Sequence, residues 1–154
     1  MRIRLAALLM AACAACGSAA AQETAATAPR PECPASGRDL PPAALYGNWE
    51  ARFEGIPGIA TVQLAKHPDY AGVRGTITRT GSGNGPTSVA QLAGDVDDDG
   101  LLGIDESRDG RSISGVWSGE LQPASCGKEF RGTWRNASDE STYPFVLNKV
   151  GSWR

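Results

Sequence analysis

Ser112-Ile113-Ser114-Gly115-Val116-Trp117-Ser118-Gly119-Glu120-Leu121 is the stretch that decides the fold. Ile113, Gly115, Trp117, Gly119 and Leu121 fall on one face, with Ser112, Ser114, Val116, Ser118 and Glu120 on the other. Successive side chains of an extended chain point to opposite faces, so this alternation marks a half-buried β-strand. Asp109-Gly110 just before it is a two-residue hairpin signal.

The same period runs outward in both directions. Leu45, Trp49 and Phe53 share a face opposite Tyr46, Asn48, Glu50 and Arg52, and Glu54-Gly55-Ile56-Pro57-Gly58 turns the chain. Ala60, Val62 and Leu64 alternate with Thr61 and Gln63; after His67-Pro68-Asp69, Val73, Gly75 and Ile77 alternate with Arg74, Thr76 and Thr78. A Gly/Ser-rich loop at 81–86 precedes a strand near Ser88 to Val96, a turn at Asp97-Asp98-Asp99-Gly100, and the segment Leu102-Gly103-Ile104-Asp105-Glu106. Beyond the opening stretch come a loop holding Cys126, then Phe130, Gly132 and Trp134, and a last strand near Tyr143 to Lys149. Helical spacing is hard to find. About eight short strands separated by turns predict an all-β, antiparallel fold, a small up-and-down barrel, with a two-sheet β-sandwich as the alternative.

Gly-x-Trp recurs at Gly47/Trp49, Gly115/Trp117, Gly132/Trp134 and Gly151/Trp153. At strand period, each Gly shares a face with its Trp and leaves room for a ring from a neighbouring strand, which is how a small barrel fills its taper. Core filling is therefore the expected role, with an aromatic-lined pocket as the alternative. Trp117 should be deeply buried, and Gly115 should lie beside a ring from the adjacent strand. The opening Leu45-Tyr46-Gly47-Asn48-Trp49, this recurrence and the strand count together resemble small exported barrels of the avidin and lipocalin type. The resemblance is one of pattern over residues 45–149, and it implies a closed eight-stranded barrel that binds at its mouth. Glu50-Ala51-Arg52-Phe53-Glu54 stands where an avidin carries the Gly and polar loop that grip biotin, so biotin binding is not carried over. Fold analogy alone licenses no ligand.

The N-terminus speaks to compartment. Arg2 and Arg4 precede an apolar run from Leu5 to Ala15, and Ala19-Ala20-Ala21 before Gln22 offers a cleavage site. This order predicts a signal peptide at 1–21, a flexible Ala/Pro-rich segment at 22–44 and a barrel domain at 45–154. The apolar run falls short of the roughly 20 residues of a spanning helix, and no later segment reaches that length. Ala14-Ala15-Cys16-Gly17 also resembles a lipoprotein processing site, which would put a lipid anchor on Cys16. The expected location is periplasmic or secreted, or the outer membrane if the chain is a lipoprotein. Either route leaves Cys33 and Cys126 as an even pair in an oxidising compartment, where a disulfide is expected. Loss of Arg2 and Arg4 from 15 basic residues leaves 13 against 17 acidic, so the processed chain is mildly acidic. With no basic run, nucleic acid is not expected as a partner.

Asp95-Val96-Asp97-Asp98-Asp99-Gly100-Leu101-Leu102-Gly103-Ile104-Asp105-Glu106 satisfies the EF-hand calcium-loop pattern, with carboxylates at alternate positions, a Gly for the turn and a final Glu. An EF-hand needs a helix on each side, whereas strands flank this stretch, so an acidic hairpin turn is expected and calcium binding is the alternative. His67-Pro68-Asp69 copies a co-chaperone tripeptide without its helices, and reads as a turn with His67 exposed. His67 is the only histidine, which leaves little room for triad chemistry or His-rich zinc sites. No catalytic or metal residues and no cofactor are assigned, and the binding residues stay unassigned. The expectation is a non-enzymatic extracytoplasmic barrel that binds an unknown small molecule or protein. An interaction or inhibitory protein of the cell envelope, and a calcium-binding β-protein, are the alternatives.

Overall fold

A computed structural model describes residues 33–81 and 85–151. The signal peptide expected at 1–21, including Cys16, and Trp153 lie outside the described residues. Eight antiparallel strands pair in chain order and close into a barrel. They are β1 (Gly47–Phe53), β2 (Ile56–Lys66), β3 (Val73–Arg79), β4 (Ser88–Val96), β5 (Leu101–Ser107), β6 (Gly115–Leu121), β7 (Glu129–Asn136) and β8 (Thr142–Val150). Pairing of β1 with β8, from Asn48 opposite Val150 to Phe53 opposite Phe145, makes this a barrel and not a sandwich. Closure leaves no unpaired edge strand.

The period-two reading holds through almost every strand. Inward positions Trp49, Ala51 and Phe53 of β1, Ile77 of β3, Leu102 and Ile104 of β5, and Trp117 and Leu121 of β6 are all buried. One assignment is corrected. Ile113 is 51% exposed and lies in the β5–β6 connection, outside β6. The Asp109 carboxylate accepts from the backbone N–H of Arg111 and of Ser112, and this turn holds the chain off the sheet until Ser114 donates to the Glu106 carbonyl.

The glycines of the Gly-x-Trp pairs divide by role. A Cβ on Gly115 would sit 2.3 Å from Trp134 Nε1 on β7, so this Gly does make room for a neighbouring ring. On Gly132 it would meet the Ser118 carbonyl oxygen at 1.9 Å: here the space goes to the backbone of the next strand. Gly75 is alike, 1.8 Å from the Gln63 carbonyl oxygen. Such positions allow a sheet to coil tightly enough to close.

Residues 33–46 cover the end of the barrel where β1 begins. Two 3-10 turns, Gly37–Asp39 and Pro42–Leu45, carry the chain across it. The Cys33–Cys126 disulfide, with Cα atoms 4.5 Å apart, ties this segment to the β6–β7 connection. Arg38 pairs with Asp99 of the β4–β5 turn at 3.2 Å. Trp49 Nε1 donates to the Leu45 carbonyl at 2.8 Å, and Lys149 lies 5.2 Å over the Trp49 ring while donating to the Ala44 carbonyl. Burial, and then the neighbouring charge of Lys128, push the Lys149 pKa down.

Candidate functional site

The opposite end gathers the β1–β2, β3–β4, β5–β6 and β7–β8 connections, and the described residues include no comparable covering segment there. The last inward position of β3 is Arg79, continuing the stripe Val73, Gly75, Ile77. The last inward position of β5 is Glu106, continuing Leu102 and Ile104. Both stripes thus end on a charge at the same end of the barrel.

Glu106 is the one fully buried charged residue among the described residues. Stripping water from a carboxylate is costly unless every lone pair finds a donor. Four donors meet it. Arg79 engages it end-on, Nη1 to Oε1 at 2.7 Å and Nη2 to Oε2 at 2.8 Å. Trp117 Nε1 and Trp134 Nε1 donate to Oε2 at 3.2 and 3.1 Å. The Trp134 N–H can point there because Gly115 admits the edge of that ring.

The Arg79 guanidinium is clamped on its flat side as well, its Cζ 5.1 Å from the Phe53 ring centre and 5.2 Å from that of Trp134. Its side chain is 21% exposed. Neither Arg79 Nε nor the second N–H of either terminal nitrogen meets a protein acceptor among the described residues. Among the described residues no buried side-chain nitrogen lacks a partner, so Nε is at least partly exposed. Arg79 also lines a depression of about 260 Å³, together with Phe53, Ile56, Pro57, Ile59 and Thr80. Ile59, Val89 and Ile113 are exposed around this end.

Beneath the ion pair the barrel is filled. Trp117 stands edge-on to Phe53 and Phe145 at 5.0 and 4.9 Å, Trp134 lies 5.6 Å from Phe53, and Trp49 lies 5.9 Å from Phe130. Every residue of this core is at most 7% exposed. Core filling, not a lined pocket, is what Trp49, Trp117 and Trp134 do here.

The residues of the calcium-loop pattern do not converge. Asp97 Oδ1 accepts from the backbone N–H of Asp99 and of Leu101, both at 2.9 Å, capping its own turn. Asp99 faces Arg38, while Glu106 sits inside the barrel toward the other end. No group of three or more His, Cys, Asp or Glu side chains that could hold a metal occurs among the described residues. His67 is corrected from exposed to largely covered, at 18% side-chain exposure: Tyr70 stacks on it at 3.9 Å and its Nδ1 accepts from the Asp69 N–H.

Sequence reasoning missed the Arg79–Glu106 pair. The available signal was position, since each charge extends an apolar stripe by one more step of two. Known protein families offer no match to the chain, and neither do curated proteins.

Proposed function

We propose that this chain works outside the cytoplasm as a small non-enzymatic binding barrel that takes a protein partner at its open end. One observation carries the reading: the interior is packed with aromatic side chains, while the open end presents a shallow depression, a partly exposed Arg79 and exposed Ile59, Val89 and Ile113. Barrels of eight strands that hold a small ligand keep interior space for it. The pattern-level likeness to avidin- and lipocalin-type barrels favours the mouth as the working end, and the filled core moves the contact onto the rim. Exposed apolar groups beside a fixed arginine are the composition of protein interfaces. An inhibitory role in the envelope is one form of this reading.

Export through a signal at 1–21 fits the disulfide, which persists in oxidising compartments. Lipidation at Cys16 would instead hold the barrel at the outer membrane. The test is site-specific photocrosslinking in envelope preparations, with a benzophenone side chain at Ile59 or Val89 and, as control, at Lys128 beside the closed end. Discrete protein adducts from the rim positions alone are expected. Adducts from Lys128 only, or a small molecule retained by the purified barrel in native mass spectrometry, would overturn the proposal.

A further inference from the structure

We infer that the open-end depression is an anchor pocket for one apolar side chain of a partner protein, whose adjoining main-chain carbonyl accepts a hydrogen bond from Arg79. The inference rests on the open end being the docking face. Size is the first argument. At about 260 Å³ the depression lies below the 300–1,000 Å³ of small-molecule sites, and suits a single side chain. Its walls of Phe53, Ile56, Pro57 and Ile59 call for an apolar occupant.

Charge selects the acceptor. Glu106 already matches the guanidinium charge through two short hydrogen bonds. A second carboxylate would lose its hydration beside a pair with no net charge left to attract it. A neutral carbonyl has far less hydration to lose and leaves the pair intact.

Preorganisation completes the case. Arginine ordinarily loses side-chain freedom on binding, but Arg79 is held by the carboxylate and by the Phe53 and Trp134 rings before any partner arrives. Arg79 lines the depression, so its unspent N–H groups are preorganised beside it.

The experiment follows the Arg79 Nε–Hε signal of the disulfide-bonded protein by NMR during titration with three probes. These are N-acetyl-leucine methylamide, N-acetyl-glycine methylamide and the N-acetyl-leucine carboxylate. The leucine diamide should shift the signal saturably and bind at least about tenfold more tightly than the glycine diamide, as burial of a leucine side chain implies. The carboxylate should bind no more tightly than the leucine diamide. Ser88→Trp, which fills the depression from its exposed rim, should abolish the shift. Equal binding of leucine and glycine diamides, tighter binding of the carboxylate, or no shift at the solubility limit would each overturn the inference. Rim photoadducts that persist in Ser88→Trp would show that docking stands and only the anchor fails; rim positions that give no adduct in the parent protein would sink the docking reading itself.

Discussion

Replacing Gly115 with alanine should destabilise the barrel by about 3 kcal/mol, because the new methyl group has nowhere to go. Its Cβ would lie 2.3 Å from Trp134 Nε1 and 2.8 Å from Trp134 Cε2. Gly115 cannot retreat, since its backbone pairs with Glu106 on one side and Asn136 on the other. Nor can the ring, which packs against Phe53 at 5.6 Å and Tyr143 at 5.7 Å, with the Arg79 guanidinium over it. Overpacking a tight core costs about 1–3 kcal/mol. Displacing Trp134 also removes its hydrogen bond to the buried Glu106 carboxylate, and bonds to charged groups contribute about 1.5–3 kcal/mol. The two losses share one movement of one ring, so they overlap and do not sum. Urea unfolding followed by tryptophan fluorescence, with the disulfide intact, reads the difference. Gly103→Ala is the control. Nothing lies within 4 Å of a Cβ built there, so a change under about 0.5 kcal/mol, or slight stabilisation, is expected. If Gly115→Ala cost less than about 1 kcal/mol, the account of Trp134 held by Glu106 would be wrong.

Reduction of Cys33–Cys126, which closes a loop of 93 residues, should cost about 4–5 kcal/mol in the chain-entropy model; unfolding curves that coincide with and without reductant would contradict this. Millimolar calcium should leave the melting temperature of calcium-stripped protein unchanged, whereas a rise abolished by Asp97→Ala would show that the acidic turn binds the ion after all. Hydrogen bonds from the backbone and side chain of Ser112, and then from the Arg111 backbone, hold the Asp109 carboxyl well below its ordinary value of 3.8. A depressed carboxyl stabilises the fold fully above its unfolded pKa, and that contribution is lost as pH falls through the folded one. The stability gap between the parent protein and Asp109→Ala should therefore be constant near neutrality and shrink below about pH 4; a gap that widens in acid would refute it.

Strand positions were legible because a half-buried strand writes its two faces into alternate residues, as in Leu102, Ile104 and Trp117. Closure was less so. The contact of Phe53 with Phe145 joins strands at opposite ends of the chain, and no local pattern distinguishes it from a sandwich edge. Gly132 could not be told from Gly115 by sequence, since each precedes a Trp by two. What separates them is whether a ring or a strand backbone lies opposite. The candidate site was hidden by a stronger local signal. Glu106 completes the calcium-loop pattern, and only the partner 27 residues away in sequence reveals why a carboxylate can stand in the core.

The two ends of the barrel solve the same packing problem by different means, and the difference bears on function. At the closed end residues 33–46 bury their own Leu45 along with Trp49, and a disulfide and a lysine over the Trp49 ring hold that cover in place. At the open end Arg79 and Glu106 occupy positions where two more apolar residues would extend their stripes. A buried ion pair is no better for stability than well-packed apolar side chains of the same volume, and is often worse. Packing alone therefore gives no reason for the pair. What an apolar substitute would not supply is a guanidinium fixed by Glu106 on one side and by two rings on the other, at the lining of an apolar depression. Glu106 holds the guanidinium and the Trp117 and Trp134 indoles satisfy Glu106, an arrangement that the docking proposal reads as presenting Arg79 to a partner.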